Sequence, residues 1–193
     1  MNNKNCNNVK YRKSKNDSIY TPKPIALKMI EMCDLKEGDL VLDPSYGEGV
    51  FYNNFPDYVN KEWCEIEKGI DFFEYDKRVS CIIGNPPYSL WSKWLEHTMK
   101  LTDKFCYIFN TMNLTDTRVK EITDKGYGIT KMHILKVHWW FGNNFIILFE
   151  KNKQSILTVE EKRIYCDICN NKCKRGLNGN NPNECMENKC TKI

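Results

Sequence analysis

The chain has 193 residues, of which 41% are hydrophobic and 12% aromatic, enough to bury one main core. No apolar run approaches the roughly 18–20 residues of a membrane span, and the polar start is no secretory signal. We therefore expect a soluble intracellular protein without a membrane partner, in the cytoplasm or wherever its substrate is. The net charge of +4 divides between two basic arms, residues 1–24 and 151–193, and an acidic body. Such arms commonly neutralise phosphates, although a tail that only keeps a protein in solution has the same composition.

The first elements in chain order are a polar arm, a helix and a strand. Residues 1–18 are rich in Asn and Lys and lack hydrophobic periodicity, which predicts a disordered basic arm. Thr21 and Pro22 provide an N-cap and a proline in the first turn, and the apolar stripe that follows predicts a helix. Residues 40–42 form a short apolar run typical of a buried strand, and residues 50–55 are expected to open a helix.

The loop after this first strand, residues 43–49, has a composition that suits a ligand. Gly47 and Gly49 carry no Cβ, so the backbone can approach a bound molecule closely. The loop lacks the third glycine of a dinucleotide fingerprint and the Lys-Ser/Thr of a phosphate loop, so it is not typical of a pyrophosphate site. Asp43 beside the glycines suits a ligand with an ammonium group. A plain strand–turn–helix connection is the alternative.

The later elements alternate between strands and helices and end in a hairpin. Strands are predicted at residues 63–66, 79–84 and 105–109, a short element at 70–73, and helices at 90–101 and 116–125. Residues 133–140 and 145–149 are predicted to form an antiparallel hairpin. This order predicts an α/β fold whose mostly parallel sheet is covered on both faces. In the aromatic run 139–141, one tryptophan is expected to pack inside and the other to be able to meet nucleic acid.

The segment Asn85-Pro86-Pro87-Tyr88 lies where a predicted buried strand ends, which is where open α/β sheets bind their ligands. The two prolines fix φ and donate no N–H, so the turn is stiff and offers only carbonyl acceptors. The proline after Asn85 keeps that residue extended. The Asn85 side-chain oxygen and a proline carbonyl, beside the Tyr88 ring, suit a planar group that carries an NH₂. The alternative is an ordinary strand-to-loop turn.

Taken together, residues 20–150 resemble the S-adenosylmethionine-dependent N6-adenine DNA methyltransferases. The resemblance rests on four segments: Tyr20-Thr21-Pro22, the Asp43-Pro44-x-x-Gly47-x-Gly49 loop, Asp71-Phe72-Phe73 and Asn85-Pro86-Pro87-Tyr88. It implies a Rossmann-like methyltransferase fold, S-adenosylmethionine as the cofactor and nucleic acid as the partner, DNA rather than RNA. It also implies methyl transfer to the N6 amino group of adenine.

The resemblance also implies a role for each matching residue. Tyr20, Thr21, Pro44 and the loop glycines would line the cofactor. The Asp71 carboxylate would meet its adenine amino group, and Phe72 would pack on the ring. The ribose hydroxyls would be held by Glu65, with Glu67 as the alternative. In the catalytic motif, Asn85 Oδ1 and the Pro86 carbonyl would accept the two hydrogens of the target amine. Tyr88 would then stack on a base extruded from the duplex.

Other functions share parts of this pattern. The Asn-Pro-Pro-Tyr motif also occurs in ribosomal-RNA and protein-glutamine methyltransferases, so adenine in RNA or a protein glutamine is an alternative acceptor. A catalytically silent nucleic-acid-binding subunit is a further alternative. DNA enzymes of the family usually carry a separate target-recognition domain, whereas about 40 residues follow the catalytic region here.

The end of the chain is predicted to bind zinc. Residues 19–151 form the predicted catalytic domain, 152–163 a linker and 164–193 a cysteine-rich module. Within this module, the spacing Cys166-x₂-Cys169 is that of a zinc knuckle, and Cys185-x₄-Cys190 completes a tetrahedral set of four thiolates. Cys173 is able to replace either member of the second pair. Unpaired thiols on a floppy tail are the alternative.

Protein purified without chelators is therefore expected to contain one zinc ion per chain, measured by elemental mass spectrometry. Cys169→Ser should lose this zinc, because three thiolates and an open position bind it more weakly. Cys173→Ser should keep the zinc if Cys185 and Cys190 complete the set, and should lose it if Cys173 replaces one of them. Purified full-length protein with only trace zinc would remove the predicted module.

Overall fold

A six-stranded sheet runs through the part of the chain that the computed structural model describes, residues 21–137, 140 and 142–157. In chain order the strands are β1 (Leu40–Asp43), β2 (Asn60–Trp63), β3 (Cys81–Gly84), β4 (Lys104–Asn110), β5 (Tyr127–Leu135) and β6 (Asn144–Lys151). The predictions for the basic arm, for Tyr20, for Trp139 and for the zinc module lie outside the described residues.

The strand order is β2-β1-β3-β4-β6-β5. Strand β1 pairs in parallel with β2 and β3, and β3 pairs in parallel with β4. Strand β6 lies between β4 and β5 and is antiparallel to both. This topology confirms the predicted fold, a mostly parallel α/β sheet that closes with an antiparallel hairpin.

In the described part of the chain, three α-helices cover the two faces of the sheet: α1 (Lys23–Met32), α2 (Trp91–Leu101) and α3 (Asp116–Thr123). Alternate residues of a strand belong to two separate hydrophobic clusters, because successive side chains of a strand point to opposite faces of the sheet. Cys81 and Ile83 pack in the cluster that contains α1, whereas Ile82 packs in the cluster that contains α2 and α3. Of the helices in the described residues, none is long and apolar enough to cross a membrane.

Three elements differ from the sequence-based predictions. Strand β2 lies three residues earlier than predicted, since it is a polar edge strand that pairs only with β1. Residues 50–55 contain only a 3₁₀ turn, Tyr52–Asn54, because Phe55 precedes a proline and is extended. Strand β5 begins six residues before the predicted position. A register shift between Ile129 and Lys131 breaks the alternation of side chains between the two faces of the sheet, from which a strand is predicted.

The order of the strands places the functional loops. Chain connections run from β1 outward to β2 and then return to β3 on the other side of β1. The carboxyl ends of β1 and β3 therefore flank a topological switch point, the position where open α/β sheets bind ligands. The loop at residues 43–49 follows β1, and the segment at residues 85–88 follows β3.

The first of these loops packs against the end of β3 without room for an additional atom. A Cβ built on Gly84 would lie 2.9 Å from Pro44 Cδ. A contact this short forces one backbone to move, and β3 is buried on both faces. The glycine at the end of β3 thus sets the separation of the two loops.

Gly84→Ala is expected to lower the free energy of unfolding by about 1–3 kcal/mol, the usual cost of overpacking a tight site. Denaturant unfolding followed by circular dichroism measures this change. An unchanged midpoint of denaturant unfolding would show that Pro44 moves without an energetic cost and that Gly84 does not fix the separation of the loops.

Candidate active site

One cavity of about 870 Å³ opens at the carboxyl ends of β1 and β3. Its volume lies within the roughly 300–1,000 Å³ of ligand pockets. Most of the predicted site residues line it: Thr21, Pro44, Gly47, Glu65, Asp71, Phe72, Asn85, Pro86, Pro87 and Tyr88, together with the alternative Glu67. Asp43 and Gly49 are not among the lining residues, and Tyr20 lies outside the described residues. The glycine loop and the Asn-Pro-Pro-Tyr turn thus share one cavity.

Asp43 lies beneath the loop rather than at the cavity wall. Its side chain is fully buried, and its two carboxylate oxygens accept hydrogen bonds from the backbone N–H groups of Ser45 and Tyr52, each at 3.3 Å. Burial raises the pKa of Asp43 to about 7, partly offset by these two hydrogen bonds, and the nearby Glu65 charge raises it further. Asp43 therefore shapes the loop from below.

Glu65 ties the glycine loop to the segment after β2. One of its carboxylate oxygens accepts a hydrogen bond from Gly47 N–H at 2.7 Å, and the other accepts one from Glu67 N–H at 3.2 Å. Each carboxylate oxygen has a second lone pair, so Glu65 is still able to accept hydrogen bonds from hydroxyl groups in the cavity.

Gly49 is required for packing rather than for contact with a ligand. Its φ is +79°, and a Cβ would lie 2.5 Å from the ring of Tyr46. The Tyr46 ring packs on Trp63, with 4.7 Å between the ring centroids, and the Lys68 ammonium lies 3.7 Å from the Tyr46 centroid. The sequence indicated the glycine but not the aromatic stack that depends on it.

Asp71 and Phe72 form another wall of the cavity. Asp71 caps the 3₁₀ turn Phe72–Glu74 by accepting a hydrogen bond from Phe73 N–H at 2.9 Å. The Phe72 ring, only 3% exposed, lies 4.4 Å from the Trp94 ring between centroids. Trp94 lines the cavity as well, and its indole N–H donates to the Tyr107 hydroxyl at 3.2 Å. The sequence did not identify Trp94 as a residue of the cavity.

The Asn-Pro-Pro-Tyr turn is anchored on both sides. The Ser45 hydroxyl donates a hydrogen bond to the Asn85 backbone carbonyl at 3.2 Å, which links this turn to the glycine loop. The Tyr88 ring stacks on Trp91, with 6.1 Å between the centroids and an interplanar angle of 17°. Trp91 is 4% exposed and does not line the cavity, so it has a core role. Burial raises the pKa of the Tyr88 phenol far above its ordinary value, which keeps the phenol neutral.

Two further sequence predictions fall partly or wholly outside the described residues. Trp140 is half-buried and packs against the cluster on the α1 face, whereas Trp139 lies outside the described residues. The proposed zinc ligands Cys166, Cys169, Cys185 and Cys190 lie outside the described residues. Among the residues that are described, no group of three or more His, Cys, Asp or Glu side chains is arranged to hold a metal ion.

Comparisons with known proteins bear on the fold. No protein-family model matches the chain, and no curated protein matches it. Similar solved structures include a candidate RNA methyltransferase from Pyrococcus horikoshii, at 18% identity and a TM-score of 0.51, over 68% of this chain and 86% of that one. A SAM-dependent O-methyltransferase from Thermotoga maritima is 14% identical, with a TM-score of 0.54, over 73% of this chain and 69% of that one.

A third similar structure is a modification subunit of a candidate type I restriction enzyme from Vibrio vulnificus. It is 15% identical with a TM-score of 0.54, over 72% of this chain and 45% of the subunit. This chain thus matches less than half of that subunit. The described residues have the Rossmann-like methyltransferase fold.

The burial of Asp43 generates a testable pH dependence. Its carboxyl loses the proton near pH 3.8 in the unfolded chain but only near pH 7 in the fold. Between these values the folded state binds more protons, so the stability that Asp43 contributes is fully present below pH 3.8 and is lost as the pH rises through about 7.

Asp43→Asn should remove this fall in stability. Urea unfolding at pH 5 and pH 8 measures it: the free energy of unfolding should fall between the two pH values by less in the variant than in the wild type. Asp57→Asn, at an exposed position, is the control and should keep the wild-type slope. The same slope in Asp43→Asn as in the wild type would contradict a raised pKa.

Proposed function

We propose that the protein is an S-adenosylmethionine-dependent methyltransferase that methylates the N6 amino group of adenine in DNA. The observation that carries the proposal is the single cavity lined by all four residues of the Asn-Pro-Pro-Tyr turn and by the glycine loop. A turn with only a structural role would not be expected to line a cavity together with the glycine loop.

The cavity has the chemistry that the cofactor requires. Glu65 and Asp71 place two carboxylates on its wall, suited to the ribose hydroxyls and the adenine amine, and Phe72 supplies an apolar ring. Asp43 and Glu65 hold the loop backbone between them. When bound, the cofactor supplies an activated methyl group on a sulfonium.

The turn at residues 85–88 supplies the acceptors for the target. The amino nitrogen of adenine is a poor nucleophile, because its lone pair is delocalised into the ring. The Asn85 Oδ1 and the Pro86 carbonyl accept its two hydrogens, which localises the lone pair and stabilises the positive charge that develops on nitrogen. Tyr88 stacks on the extruded purine and fixes its plane. The stiffness of the Pro-Pro corner keeps these acceptors in position before the substrate arrives.

RNA is the second candidate acceptor. The similar solved structures include both a candidate RNA methyltransferase and a modification subunit of a candidate restriction enzyme. The basic arms suit the phosphates of either nucleic acid. The zinc site predicted at Cys166, Cys169, Cys185 and Cys190 belongs to this proposal as a substrate-recognition module.

The direct test is to incubate the full chain with labelled cofactor and with duplex DNA, single-stranded DNA, RNA or protein. Digestion of the labelled product to nucleosides should yield N6-methyladenosine or its deoxy form. Label on a glutamine would assign the chemistry to protein. Label in none of the four, despite binding to nucleic acid, would support the alternative of a silent binding subunit.

Two variants separate catalysis from cofactor binding. Asn85→Ala should lower kcat by at least a hundredfold and leave the Kd of the cofactor unchanged within a few-fold, because it removes an acceptor for the target amine. Asp43→Ala should weaken cofactor binding, since the loop loses its support. Calorimetric titration of each folded variant measures the Kd, and loss of cofactor binding in Asn85→Ala would place Asn85 in a structural role.

A further inference from the structure

Arg118, in the first turn of α3, lies against the rings of Tyr88 and Trp91. Its guanidinium carbon is 5.8 Å from the Tyr88 centroid and 5.3 Å from the Trp91 centroid. Both distances are within the range of cation–π contacts. Because the two rings are stacked, one guanidinium contacts both.

The backbone of the preceding loop fixes this guanidinium in place. Its Nη1 donates to the Asn113 backbone carbonyl at 2.9 Å and to Asn113 Oδ1 at 3.0 Å. Asn113 is in turn held by Asn110, whose side-chain oxygen accepts a hydrogen bond from Asn113 N–H at 2.9 Å. Arg118 thus connects the end of β4 to the turn after β3.

The environment of Arg118 differs from that of an ordinary surface arginine. Arg78 is 57% exposed and pairs with Asp103 at 2.8 Å. Arg118 is half-buried, and within the described part of the chain it makes no ion pair. Its side chain contacts two aromatic rings and Asn113, so its position depends on those groups rather than on an acidic partner.

We infer that Arg118 is a positioning residue, which holds the ring of Tyr88 in the plane that the extruded adenine requires. This inference rests on the proposed function. Trp91 and Phe109 pack around Tyr88, with Phe109 at 6.1 Å between centroids, but Arg118 is the contact that comes from outside the hydrophobic core. Removal of the guanidinium leaves the Tyr88 ring free to turn away from the cavity.

The test compares Arg118→Met with the matched control Arg78→Met. Arg118→Met should lower kcat/KM for the nucleic acid at least tenfold, mainly through KM, and leave the KM for the cofactor unchanged within twofold. Arg78→Met should change neither. Arg118→Lys keeps the charge but not the planar guanidinium, and its kcat/KM should fall between those of the wild type and Arg118→Met.

A double-mutant cycle with Tyr88→Leu distinguishes positioning from a general structural role. If Arg118 acts through Tyr88, adding Arg118→Met to Tyr88→Leu should lower kcat/KM for the nucleic acid by less than a further threefold. A full tenfold loss in that background would overturn the inference. Asn113→Ala, which keeps the carbonyl acceptor but removes Oδ1, is a milder second variant and should show a smaller loss in the same direction.

A ligand-free measurement keeps this test separate from that of the proposed function. In protein labelled with ¹³C-tyrosine, the Tyr88 ring signal, assigned by Tyr88→Phe, should shift in Arg118→Met and remain in place in Arg78→Met. If the wild type methylates no substrate but this signal shifts, the proposed function fails while the ring contact stands. An unmoved Tyr88 signal in folded Arg118→Met overturns the inference.

Discussion

The structure depends on how closely two loops approach at the switch point of the sheet. Gly84 allows Pro44 to pack directly on the end of β3, and the Ser45 hydroxyl then reaches the Asn85 backbone carbonyl. Strands β1 and β3 are adjacent and parallel, so their carboxyl ends meet at one edge. Main-chain geometry therefore brings these two loops together before any side chain is considered, and in the proposed function the first loop holds the cofactor and the second the target amine.

The supports of this arrangement lie below and behind the cavity. Asp43 holds the glycine loop through two backbone N–H groups, and Glu65 holds the same loop from the side of β2. Behind the turn at residues 85–88, the Tyr88 ring stacks on Trp91, and the Arg118 guanidinium lies against both rings. The proposed function requires a methyl donor and a weak nucleophile to be aligned, and such rigidity serves it because small errors in distance are costly in rate.

The sequence predicted those parts of the molecule that short local patterns determine. Buried strands such as β3 and β4 are continuous apolar runs, and α2 has a clear apolar stripe, so they lie within about two residues of the predicted bounds. Strand β2 is polar because it lies at the edge of the sheet, and a register shift interrupts β5. Neither strand therefore has the regular alternation of apolar and polar residues from which a strand is predicted. The position of Asp43 beneath its loop and the contact of Arg118 with Tyr88 arise from tertiary packing, which no local pattern encodes.

The proposed function requires one cavity to align a methyl donor with the oxygens that the Pro-Pro corner offers to the target amine. The most direct measurement is a crystal structure with a non-reactive analogue of S-adenosylmethionine. We expect the amino-acid end of the analogue to contact the loop at residues 43–49 and the atom in place of the sulfonium to face Asn85 Oδ1. An analogue bound away from that loop, or with this atom turned away from Asn85, would contradict it.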